Sequence, residues 1–131
     1  VEGVSNFSFN SLTFCGHPSM STKYINPALG RFEPDLDVAL HDADVVMTLR
    51  IQYERFEETL NLDLEEYKQA YELTSERLEQ AKGDAIVMHP GPVNYIEISE
   101  SVYQCDQSVI RTQIANGVAI RMAVLSRFLS S

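Results

Sequence analysis

Two short, uninterrupted apolar segments place the tightest constraint on how this chain can fold. They are Asp44–Leu49 and Ala85–Met88, and each has the length of a strand and is too short for a buried helix. Because their apolar residues are continuous, they are typical of parallel strands covered on both faces. A third short segment, Leu12–Cys15, predicts another strand. With helical segments between them, these strands predict an α/β fold with a mostly parallel sheet flanked by helices.

The helical segments carry recognisable start and stop residues. Asp35 precedes the short segment Leu36–Leu40, as an N-terminal capping residue does. Asp63–Tyr71 and Thr74–Lys82 are the stronger helix predictions, and the second of them stops at Gly83, a common C-terminal residue. A helix over Ser5–Leu12 would run straight into the first strand, without the usual connection of about 2–6 residues.

The last part of the chain predicts one long helix from about Ser108 to Leu129. Its apolar residues recur at spacings of three and four and so form one face: Ile110, Ile114, Val118, Ala119, Met122, Leu125 and Leu129. A helix so long and so apolar needs a large partner surface. We therefore expect it to pack on another domain or subunit.

Composition excludes several classes of function. The chain has 131 residues, the size of about one domain, and its net charge of −9 disfavours nucleic acid and anionic membranes as partners. No apolar run reaches the ~18–20 residues of a membrane span, and Val1–Ser5 does not begin a secretory signal. The two cysteines, Cys15 and Cys105, are too few for a disulfide framework, so we expect reduced thiols and a cytoplasmic protein.

The first candidate binding residues follow the strand segment Asp44–Leu49. Arg50 can present its planar fork to a carboxylate through two charge-assisted hydrogen bonds. In an extended chain Gln52 points the same way and adds an amide. The alternative is that Arg50 only pairs with a local acid such as Glu54.

The second group follows the strand segment Ala85–Met88. Pro90-Gly91-Pro92 is stiff and lacks two N–H donors, so its carbonyls suit a ligand that donates hydrogen bonds, such as an NH2 group. The alternative is a turn that merely ends the strand. His89 could act as an acid or base, although a lone histidine at a strand end is more often structural. No cluster of His, Cys and acidic residues has metal-ligand spacing, and no glycine-rich phosphate loop occurs, so we expect neither metal nor cofactor.

These strand ends resemble those of bacterial-type aspartate carbamoyltransferases. Four segments agree in order and spacing, over about residues 36–129: Asp42–Arg55, Tyr71–Thr74, Ile86–Asn94 and Asn116–Leu125. The His-Pro-Gly-Pro segment is similar to the aspartate enzymes, whereas ornithine carbamoyltransferases have a cysteine-containing segment there.

The resemblance implies that residues 1–131 are an incomplete C-terminal, L-aspartate-binding domain. It implies carbamoyl transfer from carbamoyl phosphate to L-aspartate in pyrimidine synthesis, by a homotrimer that can associate with regulatory or dihydroorotase chains. Arg50 and Gln52 match residues that hold aspartate. His89, Pro90, Gly91 and Pro92 match the substrate-binding loop, in which carbonyls accept from the carbamoyl NH2. We expect the 131 residues to be inactive alone, because the carbamoyl-phosphate domain is absent from them.

The departures from the family pattern motivate a second hypothesis. The arginine that grips the other carboxylate of aspartate has no match in Val1–Asn10, and Tyr95-Ile96 stands where Arg-Gly usually follows Asn94. The alternative is therefore a non-catalytic structural paralogue that assembles with a partner chain. A transcarbamoylase for another amino acid is a third reading, which the His-Pro-Gly-Pro segment disfavours.

Overall fold

The structure, a computed structural model, describes residues 10–18, 28–51 and 63–129. Within them the helices and strands follow in this order: β1 (Thr13–Cys15), β2 (Arg31–Glu33), α1 (Leu36–Leu40), β3 (Val45–Met47), α2 (Leu64–Tyr71), α3 (Ser75–Leu78), β4 (Ile86–Met88), α4 (Glu100–Gln104) and α5 (Ile110–Leu129).

The strands form two parallel pairs. β1 pairs with β2, with Thr13 opposite Arg31, and β3 pairs with β4, with Val45 opposite Ile86. The other edge of β4 is also occupied, because the Val87 N–H donates to the Gln107 carbonyl at 2.9 Å. The prediction of an α/β fold with parallel strands is confirmed.

The three predicted strands are present, each slightly shorter than its apolar segment, and β2 was not predicted. β2 consists of Arg31-Phe32-Glu33, so it carries one apolar residue and no recognisable pattern. The helix over Ser5–Leu12 lies mostly outside the described residues. At its described end it is wrong, because the Leu12 carbonyl accepts the Arg31 N–H at 2.9 Å and extends the strand pairing.

The central strands are buried on one face only. Val46 and Val87 point into the core, whereas Val45 and Met47 are 51% and 50% exposed. Within the described ranges, the prediction that both faces are covered is therefore wrong. Side chains alternate across a strand, and the helices of the described residues bury only the face that carries Val46 and Val87.

The helices begin at capping side chains, as expected. The Asp35 carboxylate accepts from the Asp37 and Val38 N–H groups at the start of α1. α3 ends at Leu78, which is earlier than predicted, because the chain then turns and the Lys82 N–H donates to the Ala43 carbonyl instead of continuing the helix.

A compact apolar cluster holds the described elements together. Its most deeply buried members come from β4, α4, the start of α5 and the residues between them: Leu73, Val87, Ile98, Val102 and Ile110. One polar side chain, that of His89, is buried as completely as these. The core therefore ends directly beneath the segment that follows β4.

The long C-terminal helix was predicted to within two residues of its observed bounds. Its apolar side chains become more exposed from its first residue to its last. Ile110 is fully buried, Ile114 is 37% exposed and Leu129 is 84% exposed. No helix in the described ranges is both long and apolar enough to cross a membrane. Packing of α5 on another domain stays a prediction.

Cys15 and Cys105 are both free thiols in the structure. Partial burial raises the pKa of the Cys15 thiol to about 11, with the carboxylates of Glu33 and Asp35 adding to the shift. Cys15 therefore remains protonated, and a weak nucleophile, at neutral pH. Burial also raises the pKa of the Tyr67 hydroxyl in α2, with a smaller contribution from Tyr71.

The close approach of β1 and β2 depends on Gly30. A Cβ atom at this position would collide with the Leu12 carbonyl oxygen, the group that accepts the Arg31 N–H. We expect Gly30→Ala to lower the free energy of unfolding by about 1–3 kcal/mol, measured by urea denaturation. Gly83→Ala is the matched control, since a Cβ there meets nothing within 4 Å. Equal stability of the two variants would contradict the described strand pairing.

Candidate functional site

The carboxyl ends of β3 and β4 are tied together just beyond the strands. The Thr48 N–H donates to the Met88 carbonyl at 3.0 Å, and the Asn94 side-chain amide donates to the Ile51 carbonyl at 3.3 Å. These bonds bring Arg50, which is exposed, beside the segment His89–Pro92. The strand ends that the sequence singled out therefore form one edge, as expected for the ligand-binding edge of a parallel sheet. Gln52 lies outside the described residues.

The His89 ring is fully buried, and protein groups engage both of its nitrogens. Nδ1 accepts the Gly91 N–H at 2.8 Å, so it carries no proton. Nε2 lies 2.8 Å from Oε1 of Glu97, and in the neutral ring it is the nitrogen that bears the proton and donates. Both ring nitrogens face protein, so the predicted substrate contact of the His89 side chain does not fit its placement. The geometry favours the structural alternative, in which the ring supports the loop.

Glu97 is the partner that fixes the ring, and it is itself only 4% exposed. Its Oε1 also faces the Asn94 N–H at 3.4 Å, whereas Oε2 has no hydrogen-bond partner in the part of the chain that the structure describes. Its backbone is held in the core, because the Leu73 N–H donates to the Glu97 carbonyl at 3.1 Å. The loop is therefore anchored at both ends, by β4 before it and by Leu73 after it.

The tip of the loop rests on the long helix. Gly91 has a φ of 71°, in the left-handed region that favours glycine, and the Gly91–Pro92 peptide is cis. A Cβ on Gly91 would lie 2.9 Å from Cδ1 of Ile114 in α5. Pro90 and Pro92 are exposed and carry no N–H, so at these positions the backbone offers only acceptors to a ligand.

Three residues that support the loop were not predicted from the sequence. Asn94, Glu97 and Gln113 each bond to the loop or its flanks, and Gln113 does so from α5, through Oε1 and the His89 N–H at 2.8 Å. The one available signal is the position of Gln113, a polar residue between Ile110 and Ile114 on the apolar stripe of the helix. Within the described residues, no group of three His, Cys, Asp or Glu side chains could hold a metal ion.

Gly91 gives the site a direct test of its backbone geometry. We expect Gly91→Ala to lower the free energy of unfolding by about 1–2 kcal/mol, because alanine disfavours a positive φ and its methyl group would press on Ile114. Chemical denaturation measures the change. Gly117→Ala in α5 is the matched control and should raise stability by up to about 1 kcal/mol, as alanine favours a helix interior. A stabilising Gly91→Ala would contradict the described loop.

The comparison with protein families identifies one family over most of the chain. The family described as "Aspartate/ornithine carbamoyltransferase, Asp/Orn binding domain" matches residues 21–128. The aspartate carbamoyltransferase catalytic subunit of Citrifermentans bemidjiense is 53% identical over 92 residues, which cover 70% of this chain and 30% of that protein. The chain thus spans about 30% of the length of the curated relatives it matches.

Solved structures show the same fold. Aspartate transcarbamoylase from Trypanosoma cruzi in complex with carbamoyl aspartate and phosphate is 31% identical, with a TM-score of 0.62, and the match covers 74% of this chain and 30% of that one. The ligand-free form of the T. cruzi enzyme matches 93% of this chain and 41% of that one, with a TM-score of 0.71 at 24% identity. The chain belongs to the aspartate/ornithine carbamoyltransferase family, and it corresponds to the family's Asp/Orn binding domain.

Proposed function

We propose that this chain is the L-aspartate-binding part of an aspartate carbamoyltransferase. In the proposed reaction the α-amino nitrogen of aspartate forms a bond to the carbamoyl carbon of carbamoyl phosphate. The bond from that carbon to the phosphate oxygen breaks, and its electron pair leaves with phosphate, which takes up the proton that the amino nitrogen loses. The product is N-carbamoyl-L-aspartate.

The observation that carries the proposal is the joining of the two strand ends. The Thr48–Met88 and Asn94–Ile51 hydrogen bonds bring an exposed arginine beside a loop rich in acceptors. A guanidinium fork is suited to a carboxylate of aspartate, and backbone carbonyls are suited to the carbamoyl NH2. The arginine is thus suited to aspartate and the loop to carbamoyl phosphate, the two reactants of the proposed transfer.

In this proposal the residues of the chain bind and orient the substrates and form no covalent intermediate. Arg50 and Gln52 hold aspartate, and the carbonyls of Pro90, Gly91 and Pro92 hold the carbamoyl group. His89 acts through the loop, since its ring faces Glu97 and Gly91. Holding two anionic reactants in an aligned pair lowers the barrier mainly by removing their translational and rotational freedom.

The rest of the proposed protein follows the family resemblance. We propose that residues 1–131 supply the aspartate-binding domain, that a separate carbamoyl-phosphate domain completes the site, and that the assembly is a cytoplasmic homotrimer, open to regulatory or dihydroorotase chains. The exposed apolar side chains of α5, such as Met122 and Leu125, support packing against a further domain.

A chimera tests the proposal. Residues 36–129 would replace the matching segment of the C. bemidjiense catalytic subunit, and formation of N-carbamoyl-L-aspartate would be measured. We expect transfer activity, and we expect Arg50→Ala to lower kcat/KM for aspartate by about 100- to 1,000-fold, the effect of losing two charge-assisted hydrogen bonds.

Arg111→Ala provides the matched control, because it removes the same charge from a side chain that lies over the Tyr103 ring. We expect its kcat/KM to stay within about twofold of the parent chimera. A chimera that assembles normally yet forms no product would favour the non-catalytic paralogue. An active chimera in which Arg50→Ala behaves like Arg111→Ala would remove Arg50 from the site.

A further inference from the structure

The loop after β4 is held by side chains. Three of its N–H groups have such acceptors: the His89 N–H bonds to Gln113, the Gly91 N–H to the His89 ring, and the Asn94 N–H faces Glu97. Two of these acceptors, His89 and Glu97, belong to the same segment of chain. They hold the loop from within its own segment, whose ends are anchored by β4 before it and by the Leu73 N–H, which donates to the Glu97 carbonyl, after it.

Gln113 is the acceptor that comes from another element. It lies in the first turn of α5, and its Oε1 is 2.8 Å from the backbone nitrogen of His89. The start of α5 is itself fixed to β4, because the Val109 N–H donates to the Val87 carbonyl at 2.9 Å. The Gln113 N–H donates in turn to the Val109 carbonyl at 2.8 Å. The backbone of Gln113, which carries the amide oxygen, is therefore held at a fixed distance from β4 by these hydrogen bonds.

The neighbouring residue adds a steric stop at the same place. Ile114 lies so close to Gly91 that an added Cβ would come within 2.9 Å of its Cδ1 atom. Gln113 thus holds the first residue of the loop, while Ile114 supports its tip from below.

We propose that Gln113 is a positioning residue, which holds the loop by accepting the His89 N–H and thereby gives the site its preference for a carbamoyl group. The inference rests on the proposed function, since it concerns the group that the loop binds. Gln113 touches the backbone of the loop and acts on the ligand through it. Without this acceptor the ends of the loop stay anchored by β4 and Leu73 while the part between them shifts, so binding of the carboxylates through Arg50 is retained while recognition of the carbamoyl NH2 is lost.

Two variants separate the hydrogen bond from the packing of the side chain. Gln113→Met keeps the length and helix propensity and loses the amide oxygen, whereas Gln113→Glu keeps an oxygen at the same reach. Gln104→Met is the matched control. It makes the same replacement in α4, where the Gln104 side-chain amide donates to the Glu100 carboxylate at 2.9 Å, away from the loop.

The experiment uses the chimera defined above and two probes, N-carbamoyl-L-aspartate and succinate, a dicarboxylate without the carbamoyl group. Calorimetric titration gives both dissociation constants, and amide hydrogen exchange reports on the His89 N–H. We expect the parent chimera to bind N-carbamoyl-L-aspartate at least about fivefold tighter than succinate, roughly the contribution of one hydrogen bond. Gln113→Met should abolish this preference and speed exchange at His89, and Gln113→Glu and Gln104→Met should retain both properties.

The outcomes distinguish the inference from the function on which it rests. If the parent chimera prefers N-carbamoyl-L-aspartate and Gln113→Met does so equally, the positioning role is overturned and the proposed function stands. Unchanged exchange at His89 in Gln113→Met overturns the role as well, because the hydrogen bond is then not the one that holds the loop. If the parent chimera, in which the carbamoyl-phosphate domain is present, shows no preference between the probes, the proposed function fails, and the inference fails with it.

Discussion

The candidate site depends on the buried hydrogen bond between His89 and Glu97. The two side chains are almost completely excluded from solvent, and their 2.8 Å contact fixes the ring so that Nδ1 can accept the Gly91 N–H. Removing either partner would leave a buried polar group unsatisfied, at a cost of about 1–3 kcal/mol. Because its two prolines have no N–H, the loop can form few backbone hydrogen bonds. The hydrogen bonds of the His89–Glu97 pair hold its conformation, as backbone pairing does in the strands.

The pair has this effect because the core lies directly beneath it. Leu73 and Ile98, both fully buried, pair in a parallel β-bridge just after the loop. Val87, also fully buried, lies in β4 just before the loop. The bonds from Thr48 and Asn94 then bring the exposed Arg50 to the same edge. This edge presents an exposed guanidinium beside a loop whose two prolines carry no N–H, and the proposed function rests on this arrangement.

The sequence predicted the parts of this arrangement whose signal is local. The apolar runs located three strands, the spacing of apolar residues located α5, and Arg50 and Pro90–Pro92 stood out because they follow strands. β2 has only Phe32 as an apolar residue, so it leaves no pattern. Gln113 and Glu97 act over separations of 24 and 8 residues, and the partners at such distances are set by the tertiary fold. For the same reason the buried role of His89 could not be separated from a binding role.

The most direct test of this account is the protonation of the His89 ring. Replacing His17 and His41 by Gln leaves His89 as the only histidine of the three in the chain. Nitrogen NMR of the histidine-labelled protein at neutral pH then reports which ring nitrogen carries the proton. The account predicts a single neutral tautomer with the proton on Nε2 and none on Nδ1. A proton on Nδ1, or the rapid mixture of tautomers typical of an exposed histidine, would contradict it.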